Sequence, residues 1–463
     1  MNLSYLPSSG NSRILIAILI ICLPIATGIA FAFGGILTLA AFVGIIYTIL
    51  VFTNPRIGLY SMVFLLPFDS YFLISDSISL TRLVGILAFT AWIIRKDSIS
   101  DIAIILKQKL AIGLTLLAGL SIASLLWADY QEQVIIDLLS LAQLLVLFFF
   151  VASLVNSWQR LRTVLLIFLA AVLFSVPIAL YQFYVVDRYR GGDGLSGTVN
   201  EFAIQIIIAI PILLYYFQSK KTNVLGKIML ILAMIFLFLG LAISQSRTSI
   251  LLLPLVLILQ VRLVGWSPSK RFLFFAAIFL SLGVALYYSP RTSIVQRFVK
   301  DFDTSGSAFS FVSTRGYLWW IAVSEFAKNP LLGIGFDNFR YHFLYSYQFV
   351  YPGATQVWTT AMPVHNTFLS ILVQLGVLGG MITIYILWQL FAMLHIIKKR
   401  VANNFQRSLL VGTLFNCLIA FLLYSLLATS LFDKILWIMI GLVQAAYFLT
   451  LRSARSIPNT TQI

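Results

Sequence analysis

IMLILAMIFLFLGLAISQSRTSILLLPLVLILQV, residues Ile228 to Val261, decides what kind of molecule this is. Two unbroken apolar runs flank the polar stretch Ser244 to Ser249, and each approaches the length a helix needs to cross ~30 Å of hydrocarbon. In lipid a backbone must satisfy its own hydrogen bonds, so the runs are helices, and a joint this short makes them a hairpin. Arg247 lies in that joint, with no long loop to carry it away from the membrane edge. A cation there is costly unless it is paired or snorkels to lipid phosphate, which makes Arg247 a candidate anion ligand.

The same pattern extends in both directions. The chain has 463 residues, 60% hydrophobic and 10% charged, with a mean hydropathy of +0.99. Soluble domains are about half apolar and a quarter charged, so an all-α integral membrane protein is expected; a barrel would show short alternating strands. Spans are expected near 14–33, 35–53, 57–74, 80–95, 110–127, 134–155, 162–186, 201–217, 226–244, 248–264, 271–289, 364–397, 408–427 and 431–451, twelve to fourteen in all. The first run is too long for a signal-peptide core and lacks a clear small-residue cleavage site, so it counts as a span.

A net charge of +16 would suggest nucleic acid in a soluble protein. Here its placement matters more. With the N-terminus inside, most of the 31 basic residues fall in inside loops, among them Arg95, Lys107, Lys109, Arg160, Arg162, Lys398, Lys399, Arg400 and Arg407. Of the 15 acidic residues only Asp97 and Asp101 do. This asymmetry sets both termini in the cytoplasm and calls for a bilayer, not a nucleic acid, as partner. Cys22 and Cys417 lie within apolar runs, where they serve as small hydrophobes.

The chain divides into a membrane bundle over 1–289, a large outer loop over 290–363, a second membrane part over 364–451 and a cytoplasmic tail over 452–463. Outer-face chemistry belongs in that loop, because no other connection is long enough to carry it. Phe311 to Lys328 (FVSTRGYLWWIAVSEFAK) spaces Leu318, Ile321, Ala322 and Phe326 as one face of a helix, with Arg315 and Trp319 together, and Asn329-Pro330 ends it. The aromatic-rich FDNFRYHFLYSYQFVYPG that follows suits either an amphipathic ligand or the membrane interface.

Four polar features on the outer side are candidate sites: Arg247; Arg188 and Arg190 in RYRGGDGLSGTVNEFA; Arg315 with Arg340; and Val364-His365-Asn366. Arginine holds phosphate with a planar, permanently charged fork. His365 follows a proline where the loop re-enters the membrane, and an imidazole can take a proton near neutral pH. His342 stands within the aromatic run and is open to either role; His395 is an interfacial residue near Lys398. The glycine-rich loop has no following Gly-Lys-Ser/Thr, so nucleotide binding is not indicated. Asp301-Phe-Asp303 has the look of a metal-binding pair of glycosyltransferases that use cytoplasmic nucleotide sugars, but it lies outside. No HExxH, GxSxG or His/Cys cluster is present, so neither metal nor cofactor is implied.

SGTVNEFAIQIIIAIPILL, SQSRTSILLL, TRGYLWWIAVSEFAKNPLLGIGFDNF and PVHNTFLSILVQLGVLGG follow in the order seen in the O-antigen ligase and polymerase superfamily, which the chain resembles over about Gly191 to Gly380. The resemblance implies a GT-C-type membrane glycosyltransferase of the bacterial inner membrane. Such enzymes take a glycan from undecaprenyl pyrophosphate at the periplasmic face and pass it to a lipid A core sugar or to another glycan. It further implies that His365 is the essential histidine and that Arg247 and Arg315 hold the donor pyrophosphate, with Arg188 or Arg190 as additional ligands. The family's usual NPN reads TVNEF here, so only Asn200 carries over, as a possible substrate ligand with Arg340 and Asn366. The alternative is a small-anion transporter, bicarbonate-like as some relatives are described. It calls for midplane charges and paired broken helices, whereas these spans are nearly free of charge.

Overall fold

The computed structural model describes residues 40–71, 73–75, 78–186, 193–218, 223–264, 314–347 and 361–455, with single positions at 35, 38, 269 and 283. The runs expected to span near 14–33 and 271–289, Arg188, Arg190 and the Asp301-Phe-Asp303 pair lie outside the described residues.

Three short apolar helices come first: α1 (Ala40–Thr53), α2 (Pro55–Leu65) and α3 (Leu80–Ile93). A small antiparallel ribbon, β1 (Leu73–Ser75) with β2 (Ile78–Ser79), joins α2 to α3. Helices α4 (Lys96–Leu106), α5 (Lys109–Ala123), α6 (Gln131–Leu154), α7 (Trp158–Tyr184), α8 (Val199–Gln218), α9 (Val224–Ser244) and α10 (Arg247–Val264) follow. After the undescribed stretch come α11 (Thr314–Lys328), the single turn α12 (Phe339–His342), α13 (Thr367–Val401), α14 (Phe405–Tyr424) and α15 (Lys434–Arg455). Among the described residues, α5 to α9 and α13 to α15 provide eight helices long and apolar enough to cross a membrane. The chain is an all-α integral membrane protein.

Sequence sets where these helices begin. Asn54, Ser79, Ser157, Asn223, Asn366 and Asn404 each accept a hydrogen bond from a backbone N–H in the first turn of α2, α3, α7, α9, α13 and α14. Pro177, Pro211 and Pro254 stay inside α7, α8 and α10, as membrane helices allow. Helix α8 is buried on every side from Phe202 to Tyr215, so it is the central helix of the bundle. Its neighbours are α9, α10, α14 and α7. A polar clamp holds two of them together: Asn416 Nδ2 donates to Val256 O (2.9 Å) and Gln260 Oε1 (3.1 Å), and Gln260 Nε2 donates to Thr413 Oγ1 (2.9 Å).

The bundle has two unlike ends. At one, Arg95 Nη2 donates to Thr53 O (2.6 Å), Tyr216 Oη donates to Arg162 O (2.6 Å), and Arg407 stacks 5.5 Å above the Trp158 ring. At the other lie the starts of α8, α10, α11 and α13.

Helix α13, within the span expected near 364–397, is broken at Gly376. Gly376 has φ 64° and ψ −165°, a backbone region open almost only to glycine. The break frees backbone groups that lipid cannot satisfy, and the loop after α11 supplies their partners. Ile334 N–H donates to Val373 O (3.0 Å), Gly335 N–H to Gln374 O (3.0 Å), and Val377 N–H to Pro330 O (2.8 Å). The approach is so close that a Cβ on Gly376 would meet Leu331 O at 2.1 Å, and one on Gly333 would meet the Gln374 carbonyl carbon at 2.4 Å. The NPLLGIG and LGVLGG stretches are therefore two halves of one joint.

That joint positions α11. Tyr317, Leu318, Ile321 and Ala322 of α11 pack on Ile334, Phe339, Phe343, Val364 and Val373 in a core of their own. The loop is also tied to the bundle: Phe336 N–H donates to Ser124 Oγ (3.0 Å) and Tyr130 N–H to Asn338 Oδ1 (2.9 Å).

Candidate active site

The joint between α9 and α10 turns on Gln245, left-handed at φ 53°. Ser246 Oγ then donates to Asn200 Oδ1 (2.9 Å), fastening the turn to the first residues of α8. Arg247, half-buried, opens α10 directly after it. Arg315 opens α11, half-buried and within electrostatic reach of Arg247 and of Tyr424 at the end of α14. Burial, and then the neighbouring Arg247 charge, lower the Arg315 pKa from its usual value.

His365 completes the group. It lies just before α13 in a left-handed conformation (φ 55°), a strained state for a residue with a side chain. Its surroundings hold it there: its N–H donates to Thr429 Oγ1 (2.9 Å), and Asn366 Oδ1 caps α13 by accepting from Leu369 N–H (3.0 Å). Thr367 N–H donates to Ser425 O, and Thr367 Oγ1 to Ala428 O, both at 2.8 Å, which pins this end of α13 to the α14–α15 loop. Burial, and then the Arg315 charge, lower the imidazole pKa from 6.5 to about 4, so His365 is neutral at physiological pH.

Asn200, Arg247, Arg315 and His365 thus converge from four separate helix starts. Helix N-termini present unsatisfied N–H groups and partial positive charge, and two guanidiniums add full charges. The arrangement suits a diphosphate beside a neutral imidazole.

Asn366 serves its helix as a cap. Arg340 is placed elsewhere: Arg340 Nη2 lies 2.9 Å from Asp337 Oδ2, and Gln374 Nε2 donates to Asp337 Oδ1 (3.2 Å). It borders a mainly apolar cavity of about 520 Å³ between α3 and α6. His342 Nε2 lies 3.1 Å from Asp129 Oδ2, edge-on to the Tyr130 ring.

Beside the His365 group the structure opens a second, polar cavity of about 260 Å³. Asp69, Glu201, Gln205, Tyr424, Asp433 and Lys434 line it, with Thr429, the acceptor of the His365 N–H, at its edge. Sequence reasoning passed over these residues because they come from three distant segments; the one local signal was Glu201, a carboxylate at the head of an apolar run. Among the described residues, no three His, Cys, Asp or Glu side chains group as metal ligands would.

A multi-pass helical bundle thus carries an arginine- and histidine-bearing group at one end. Residues 232–384, less than half of the chain, match the family model described as O-antigen ligase, and the match supports a membrane glycan-transferring protein of ligase or polymerase type. The match runs from within α9 into α13 and so contains Arg247, Arg315 and His365, while Asn200 and the helices before α9 precede it. No curated protein matches the chain.

Proposed function

We propose that the protein transfers a glycan from undecaprenyl pyrophosphate to a sugar hydroxyl, a lipid A core sugar or another glycan. The reaction occurs at the periplasmic face of the bacterial inner membrane and needs no metal ion. The observation that supports this most is the meeting of a neutral, half-buried imidazole with two guanidiniums and Asn200 at four helix starts. His365 takes the proton of the acceptor hydroxyl, and the acceptor oxygen forms its bond to the anomeric carbon. The bond from that carbon to the phosphate oxygen breaks, inverting the centre, and the electron pair leaves on undecaprenyl pyrophosphate. Arg247 and Arg315 stabilise the growing negative charge, the part a divalent cation plays in other transferases.

The donor also tunes the base. An imidazole near pKa 4 is a poor proton acceptor, but a bound pyrophosphate offsets the Arg315 charge that depresses it. Basicity therefore rises when the donor is in place.

The broken α13 does not favour an anion carrier, because the Val377 N–H at the break, the kind of donor an anion would need, is already taken by Pro330 O. The basic cluster of Arg95, Arg162 and Arg407 at the far end of the bundle supports a cytoplasmic placement of that end. The test is a reconstituted assay with an undecaprenyl-pyrophosphate glycan in excess EDTA. Formation of an elongated or newly attached glycan supports metal-free transfer. Product that appears only when Mg²⁺ or Mn²⁺ is returned refutes it.

A further inference from the structure

The polar cavity beside His365 has a character opposite to that of the arginine group. Glu201 and Gln205 are one turn apart on α8 and so share a face. Ser196 Oγ lies 3.0 Å from Gln205 Oε1 and donates to it, which leaves the amide NH₂ as a donor. Asp433 Oδ1 accepts from Ile435 N–H (2.8 Å) at the start of α15. Asp69 is held by Lys434 and by Ser79 Oγ, which donates to Asp69 Oδ1 (2.8 Å). Tyr424 stands between the two compartments, within electrostatic reach of Arg315 on one side and of Glu201 and Asp433 on the other.

Resting on the glycan-transfer reading, we propose that this cavity is the acceptor-sugar subsite and that it takes one neutral or amino hexose of the acceptor. Three features argue for this. The lining alternates carboxylate acceptors with amide, hydroxyl and ammonium donors, as recognition of a polyhydroxylated ring requires. About 260 Å³ falls below the roughly 300–1,000 Å³ of pockets for drug-sized ligands, so one ring fits and an oligosaccharide does not. Asp69, Glu201 and Asp433 against the single Lys434 repel a pyrophosphate or a uronic acid, whereas the arginine compartment attracts them. The donor and acceptor are thereby sorted by charge to opposite sides of Tyr424.

The experiment is saturation-transfer NMR on the full chain in nanodiscs without donor, with the methyl glycosides of glucose, glucosamine and glucuronic acid as probes. The expected result is binding of the glucoside and the glucosaminide, with the glucuronide at least tenfold weaker. Glu201→Gln, an isosteric change, lowers glucosaminide affinity about tenfold or more, the scale of a hydrogen bond to a charged group. Gln205→Ala weakens both neutral and amino glycosides and serves as the second variant, each variant being checked for a wild-type unfolding midpoint. Equal binding of all three glycosides, no binding of any, or variants that bind like wild type overturn the proposal. Selective sugar binding by a protein that fails to transfer glycan leaves this subsite standing and removes the transfer reading. Transfer by a protein whose glucuronide binding equals its glucoside binding does the reverse.

Discussion

Replacing Arg315 with Met should raise the pKa of His365, and by an amount the structure bounds. The imidazole is lowered from 6.5 to about 4, a gap worth roughly 3 kcal/mol. Burial is the larger cause and the Arg315 guanidinium the smaller, so removing the charge restores less than half of the gap. Methionine keeps most of the arginine's apolar stem and so leaves the burial nearly unchanged. The expected titration midpoint in the variant therefore lies above that of wild type and still well below the usual 6.5. The chain has only 3 histidines, so ¹³Cε1-histidine labelling gives a spectrum in which His365 is assigned by its absence in His365→Gln. A wild-type His365 midpoint near 6.5 would refute the buried placement. A midpoint unmoved by Arg315→Met would refute the contact between the two residues.

Gly376→Ala should prevent the α13 joint from forming, since the conformation is glycine-only and the new Cβ would strike Leu331 O; a loss well above 1–3 kcal/mol is expected, read as a fall in unfolding midpoint or in yield. Asn416→Leu breaks the clamp between α10 and α14 and should cost about 0.6–1.7 kcal/mol per lost bond, measured by thermal unfolding in detergent. Asp433→Asn should stabilise the protein above about pH 6. Burial, then Asp69, raise this carboxyl from 3.8 to about 6 despite the backbone N–H bond and Lys434, so its charged form costs up to ~3 kcal/mol there. That cost fades as pH falls through 6 and is absent below 3.8, so wild type and variant should have equal midpoints at pH 3.5. Arg247→Lys should keep the charge but lose the fork, raising the donor KM while leaving acceptor affinity unchanged; an unchanged donor KM would place Arg247 outside the donor site.

Much of this molecule was legible in its sequence because lipid imposes one answer on long apolar runs. The α9–α10 hairpin, the helix that carries Arg315 and its end before Asn329 all follow from hydropathy, spacing and proline. The break at Gly376 was not legible: LVQLGVLGG is apolar throughout, glycine is ordinary in membrane helices, and the partners that make the break tolerable lie more than forty residues earlier, at Pro330 to Gly335. The candidate site was readable one residue at a time. Arg247, Arg315 and His365 each drew notice as polar groups at a costly depth, but their meeting depends on the joint that sets α11. Arg340 drew notice by the same reasoning, yet its charge is matched locally by Asp337 three residues before it. The acidic cavity escaped because Asp69, Glu201 and Asp433 are each unremarkable in their own segment.

The central claim is that His365 is the base in the transfer. The most direct measurement compares wild type with His365→Ala and His365→Gln, reconstituted with an undecaprenyl-pyrophosphate glycan and acceptor, with donor binding measured alongside transfer. A general base contributes about 10²–10⁴-fold. The expected result is a loss of transfer on that scale with donor affinity within a few-fold of wild type. Variants that bind donor and still transfer at near wild-type rates would contradict it.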